Sequence, residues 1–317
     1  FYHAYYEPCV MQHDVSSRYK RLFAVCLKRW RLITADPPLD EIDNQLLARY
    51  RDFLFKCRGM GQQEQLAPAT VANYLRHVQA LLAKAGPPGP RNRDAAGILD
   101  RVPWTRLPRI NREIPKIVND QTIGRMYAAA ELMVVPRIPG VKAVDWWRAL
   151  LVVCWMTAAR RRTLFEMEWT DYEPENKRLK IPGQRFKNGR PQIFPLRDWA
   201  IEHLERMRTD RRLVFEWPLD MRAFHTYWNR LQWEAGIPKA DAFGLHGLRR
   251  TAITRLAHVS LSAAQLLAGH HSVDVTVQHY IDPTPIVDKA VRSMPRTPAF
   301  GGDAATMEVP ELPGGNA

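Results

Sequence analysis

The chain has 317 residues, 46% hydrophobic and 25% charged, proportions that suit a soluble globular protein and a length that favours two domains over one core. Its 46 Lys and Arg outnumber 33 Asp and Glu for a net charge of +13. That excess points either to a polyanionic partner or to a generally basic surface. No apolar run approaches the roughly 20 residues of a membrane helix, and Cys9, Cys26, Cys57 and Cys154 form no CxxC pair, which sets aside a membrane span, a disulfide framework and a cysteine zinc site.

The chain opens at Phe1 without Met and without a signal peptide, which reads as a trimmed or partial sequence. Tyr19, Leu22, Phe23, Cys26, Leu27 and Trp30 recur at helical spacing and predict a helix over 16–31, capped by Ser16 or Asp14. Asp43 opens a second helix carrying Leu46, Leu47, Tyr50, Phe53 and Leu54, closed by Gly59 and Gly61. A third follows Pro68, with Val71, Tyr74, Leu75, Val78, Leu81, Leu82 and Ala85 as its stripe. After the break GPPGPRN a short helix is expected around Ala95 to Leu99. The polar faces of this all-helical unit carry Arg18, Lys20, Arg21, Lys28, Arg29 and Arg31, each of which suits a solvated face. Residues 102–118, VPWTRLPRINREIPKIV, have the composition of an inter-domain linker that could also meet phosphates.

Asn119 or Asp120 starts a helix through Ala130, and AVDWWRALLVVCWM over 143–156 is apolar enough to be central to a core. A basic turn, Arg160–Arg161–Arg162, leads into a short helix to Met167. The pattern then changes. RLKI over 178–181 and QIFPL over 192–196 read as strands, joined by a hairpin tip with Asn188–Gly189 as its turn. Helices are expected at 197–208, 220–235, 246–258, 262–268 and 273–280, and a disordered Pro/Gly-rich tail from about 295. The fold class is therefore mainly α: an N-terminal helical bundle, then a mostly α domain with a small antiparallel sheet.

Four stretches of the second half carry chemistry together: TAARRRTLFEMEWTD (157–171), FKNGRPQIFPL (186–196), HGLRRTAITRLA (246–257) and LLAGHHSVDVTVQHYI (266–281). In this order and spacing they resemble the catalytic domain of the tyrosine recombinase (phage integrase) family. The helical unit before them resembles that family's core-binding domain by pattern and position. The resemblance implies a core-binding domain at 1–105, a linker at 106–117, a catalytic domain at 118–294 and a tail at 295–317. It assigns Arg160, Lys187, His246, Arg249, His270 and Tyr280 to the catalytic set.

The residue types fit the reaction the resemblance implies, phosphoryl transfer to a tyrosine oxygen. Charge builds on the phosphate oxygens, and two arginines offer fixed charged forks to them. His246 and Arg249, three apart on a helix, share a face. An ordinary tyrosine with pKa of about 10 needs a base or positive charge nearby. Lys187 on a hairpin suits protonation of the leaving 5′ oxygen. Neither a cofactor nor a metal is implied.

Taken singly, these residues also suit bland roles: Arg160 a solvated turn, Lys187 a solubilising hairpin residue with Lys180, Arg185 and Arg190 as neighbours, and Tyr280 a helix-end aromatic. His271 competes with His270, and Gly269 before it favours the latter. Thr163 and Ala158 stand where the family pattern has an acidic residue and a glycine. Double-stranded DNA is the implied partner, a homotetramer on two DNA sites the implied assembly, and the cytoplasm, on nucleoid DNA, the implied location; accessory proteins are unspecified. Two rival readings are a type IB topoisomerase and a DNA-binding protein of the same fold with weakened catalysis.

Overall fold

The computed structural model describes residues 1–11, 15–57, 65–90, 92–111, 114–186, 189–270, 272–281 and 291. Gly59, Gly61, Lys187, Asn188, His271 and the expected tail over 295–317 lie outside the described residues. The chain divides into two units, Phe1–Arg112 and Glu113–Ala317.

The first unit is a helical bundle built on side-chain caps. The Ser16 side chain accepts from Tyr19 N at 3.3 Å to start α2 (Ser17–Thr34), and Asp43 accepts from Leu46 N at 2.7 Å to start α3 (Asn44–Lys56). Pro68, free of an amide hydrogen that would be orphaned anyway, opens α4 (Pro68–Ala85). A π-helical turn at Tyr2–Tyr6 running into α1 (Glu7–Val10) precedes them; this segment has no clear hydrophobic period. The shared core holds Phe23, Cys26, Trp30, Leu47, Tyr50, Leu54, Leu75 and Leu82. Leu22 and Phe53, expected on the apolar stripes, are 45% and 52% exposed, and Tyr19 is 37% exposed. Leu22 and Phe53 each sit about 100° of helical turn from a buried stripe-mate, so they flank the stripe instead of forming it.

The expected helix at Ala95–Leu99 is absent. Its amides are spent elsewhere: Ala96 N donates to Lys84 O at 2.8 Å, while Ile98 N and Leu99 N donate to Ala85 O at 2.9 and 2.8 Å. These contacts satisfy carbonyls that the end of α4 leaves orphaned, and Gly97, at φ +65°, makes the bend. Farther on, the strap is held by Trp104 N on Asn44 Oδ1 at 2.6 Å and by Gln79 Nε2 on Thr105 O at 2.7 Å.

The second unit is mostly helical around one small sheet. Asn119 caps α5 (Asp120–Ala129). Next come α6 (Ala143–Thr157), α7 (Arg161–Phe165), β1 (Tyr172–Glu173), β2 (Arg178–Ile181) and β3 (Gln192–Pro195). They are followed by α8 (Asp198–Arg206), α9 (Met221–Glu234), α10 (Leu245–Ala257), α11 (Leu261–Ala268) and α12 (Val273–Tyr280). The sheet is antiparallel in the order β1-β2-β3, pairing Tyr172 with Leu179 and Leu179 with Phe194. These three residues share the buried face, while Lys180 and Ile193 face out.

Helix α6 is the axle, packing against α8, α10 and β3. Trp146, Trp147, Leu150, Val153 and Cys154 are all fully buried on it. Trp147 packs on Trp146, Trp217, Phe224 and Trp228 and donates its Nε1–H to Val135 O at 2.6 Å. Burial pushes the thiols of Cys26 and Cys154 up to about 12, so both act as neutral apolar filler. Trp147→Ala should cost about 3–5 kcal/mol in denaturant unfolding. Leu32→Ala, at an 84% exposed leucine, should stay within about 0.5 kcal/mol.

Candidate active site

The site forms where four helix ends of the second unit meet. At the end of α6 the Thr157 hydroxyl donates to Val153 O at 2.6 Å and accepts from Ala159 N at 3.1 Å. Ala158 then takes a left-handed conformation, φ +46°, which costs an alanine roughly 1 kcal/mol more than a glycine. That turn reverses the chain and leaves Arg160 exposed at the N-cap of α7. Thr163, where an acidic residue was expected, is buried on α7 at 3% exposure.

Helix α10 supplies the next two groups. His246 lies in its first turn and keeps contact with solvent. Arg249, one turn on, is only 2% exposed. Its guanidinium donates to Ala158 O, to Ala268 O at 2.8 Å, and faces His270 Nε2 at 3.4 Å. Its Nε is buried without a partner. The helix is anchored by Thr251, whose hydroxyl donates to Gly247 O at 2.9 Å and accepts from Val118 N at 2.8 Å.

Gly269 ends α11 in the left-handed region at φ +63°. The positive φ is what calls for glycine there; the Gln192 amide that a Cβ would meet sits at the end of a flexible side chain and could swing aside. His270 follows, its backbone gripped twice by Gln265: His270 N donates to Gln265 O at 3.1 Å, and Gln265 Nε2 donates to His270 O at 3.3 Å. Helix α12 begins at a Ser272 cap and ends on Tyr280, whose carbonyl accepts from the Thr254 hydroxyl. The Tyr280 ring meets the His270 ring at 4.5 Å, the His246 ring at 5.4 Å and the Arg249 guanidinium carbon at 5.4 Å.

Four of the six residues singled out in the sequence are thus in one cluster: His246, Arg249, His270 and Tyr280. Arg160 is near enough for its charge to act on His246 and Arg249. Lys187 lies outside the described residues, although β2 and β3 on either side of it are described. Of its neighbours, half-buried Arg185 is committed elsewhere, to Asp171, to Glu168 at 3.0 Å and to Glu166 O at 3.0 Å. The contacts of Thr157, Thr254, Thr276 and Gln265 were not read from the sequence. Their only signal was a polar residue inside or beside an apolar helical stripe.

Positive charge dominates the electrostatics. The pKa of His246 is held below the ordinary imidazole value by burial first, then by Arg250, Arg249 and Arg160. The pKa of Arg249 is drawn down by burial, with Arg160 acting the same way and Tyr280 and Cys154 opposing. The site therefore combines neutral imidazole with a concentrated cationic field, an arrangement suited to an anion and a proton acceptor together. In an NMR pH titration, His246 should lose its proton below pH 6.5, the ordinary imidazole value. Arg250→Gln should raise that midpoint, because removing a neighbouring cation favours the charged ring; an unmoved or lower midpoint contradicts the assignment.

Residues 128–285 match the phage integrase family, and residues 12–89 match the phage integrase SAM-like domain. Tyrosine recombinase XerC of Corynebacterium glutamicum is 25% identical over 251 residues, which cover 75% of this chain and 74% of that protein. A lambda integrase dimer bound to a COC′ core site shares the fold at a TM-score of 0.60 and 20% identity, covering 87% of this chain and 75% of that one. The Tn1549 transposon integrase in complex with circular intermediate DNA covers 92% of this chain and 98% of that one, at a TM-score of 0.56 and 16% identity. With both matched regions in order and together spanning most of the sequence, the chain belongs to the phage integrase family of tyrosine recombinases.

Proposed function

We propose that this protein is a site-specific DNA recombinase that cuts and rejoins strands through a 3′-phosphotyrosyl intermediate, with Tyr280 as the nucleophile. The observation that carries this reading is the ring of Tyr280 enclosed by Arg249, His246 and His270. The Tyr280 oxygen bonds to the scissile phosphorus as the bond to the 5′ oxygen breaks. Attack by the partner strand's 5′ hydroxyl reverses the step, and the phosphodiester's energy stays in the covalent link, so no nucleotide triphosphate is consumed.

Each group has a role its chemistry suits. Arg160, exposed, and Arg249, beside the Tyr280 ring, are assigned as the N–H donors to the phosphate oxygens as charge builds there. Lowering of its pKa keeps His246 neutral near pH 7, so it and His270 are the imidazoles available to take the phenolic proton. Lys187 is assigned the proton for the departing 5′ oxygen. The first unit, matching the SAM-like domain, grips the duplex together with the catalytic unit. The assembly proposed is a homotetramer on two DNA sites, in line with a structural neighbour described as a lambda integrase tetramer bound to a Holliday junction.

A random-sequence library of nicked suicide duplexes tests the proposal. The wild-type protein should yield SDS-resistant adducts enriched in one sequence and joined at the 3′ phosphate. Tyr280→Phe should yield none while retaining DNA on a filter equally well. Adducts that persist in Tyr280→Phe overturn the nucleophile assignment; adducts without sequence enrichment, with plasmid relaxation, point instead to a topoisomerase.

A further inference from the structure

Thr276 lies on α12, one turn before Tyr280, and is fully buried. Its Oγ1 is 2.8 Å from Nδ1 of His270. On the opposite side of the same ring, Nε2 faces Nη2 of Arg249 at 3.4 Å. A guanidinium only donates hydrogen bonds, whereas a hydroxyl both donates and accepts. The ring nitrogen facing Arg249 must therefore present a lone pair, and the single proton of the neutral imidazole belongs on Nδ1, donated to Thr276. The opposite tautomer would aim an N–H at a buried guanidinium and leave two donors facing each other.

We propose that Thr276 is a positioning residue: it accepts the Nδ1–H that the Arg249 contact requires of His270, holds the ring in that setting, and couples it to the helix carrying Tyr280. The backbone of His270 is clamped on both sides by Gln265, and its ring lies against Arg249 and Tyr280. Thr276 adds the hydrogen bond on the Nδ1 side. Because Thr276 and Tyr280 are four apart on one helix, they lie on the same face and move as a unit. Thr254 pins the far end of that helix through the Tyr280 carbonyl. The ring is thus held in this setting only while α12 is docked with its tyrosine ring in place. A hydroxyl suits this role because, unlike a carboxylate, it fixes the ring without adding negative charge beside a site built to hold a phosphate.

The inference rests on the reading of Tyr280 as nucleophile, and its test separates the two. In long-range ¹⁵N–¹H spectra of the labelled full chain at neutral pH, the signals of His270 are assigned by their loss in His270→Gln. The wild type should show a protonated Nδ1 and a bare Nε2. Thr276→Val, which keeps the shape and removes the hydroxyl, leaves the Nδ1–H without its acceptor and should move the ¹⁵N and ¹H signals of the His270 ring away from their wild-type positions. It should also slow adduct formation by about tenfold, the rate equivalent of losing one hydrogen bond, without loss of DNA retention. Thr276→Ser should restore both. A wild-type ring protonated on Nε2, unchanged His270 ring signals in Thr276→Val, or no rescue by serine overturns the proposal. If Thr276→Val does not fold, the wild-type spectrum and Thr276→Ser still decide it. Adducts that survive Tyr280→Phe would refute the nucleophile reading alone, since the tautomer is read without activity.

Discussion

A buried guanidinium holds the site together. Arg249 is surrounded by protein, and its charge is met by the carbonyls of Ala158 and Ala268, by His270 and by the face of Tyr280. Burying a cation costs several kcal/mol unless its donors are satisfied, so each of these contacts is under pressure to form. Together they join the turn after α6, the end of α11 and the end of α12 to the middle of α10. A left-handed alanine at 158 and a left-handed glycine at 269 are the backbone conditions under which those two carbonyls reach one side chain.

Buried threonines complete the frame. Thr157 shapes the turn that delivers Ala158 O, Thr251 anchors α10, Thr254 holds the end of α12, and Thr276 meets the ring of His270. Each satisfies a buried polar atom without adding charge. The net field inside the cluster therefore comes from the arginines. That field adds to burial in depressing the pKa of His246, and it makes an anion the natural complement of the site.

Much of the fold was legible because periodicity and caps agreed. Ser16, Asp43 and Asn119 each accept the expected backbone hydrogen bond, and the apolar run over 143–156 is α6 to within a residue. Where local pattern misled, non-local bonding was responsible. Residues 95–99 have helix-compatible side chains, but their amides are drawn to the end of α4. Strand β1 is two residues long, too short for alternation to show, and exists through its pairing with β2. The motifs singled out His246, Arg249, His270 and Tyr280, which lie together in the structure, yet the burial of Arg249 was not legible: it is enclosed by the turn after α6 together with the packing of α11 and α12 on α10. The threonine contacts were hidden for the same reason, since Thr254 reaches the Tyr280 carbonyl 26 positions away.

The central claim is that the fork of Arg249, and not its charge alone, assembles the site. The direct measurement is the single-turnover rate of adduct formation by Arg249→Lys on the duplex selected by the wild type, with folding checked by circular dichroism. Lysine keeps the charge but cannot hold two carbonyls and a ring nitrogen in one plane. The rate should fall by about a hundredfold or more, the scale of losing a preorganised donor, in a protein that remains folded. A folded Arg249→Lys protein that forms adducts within a few-fold of the wild-type rate would contradict the account.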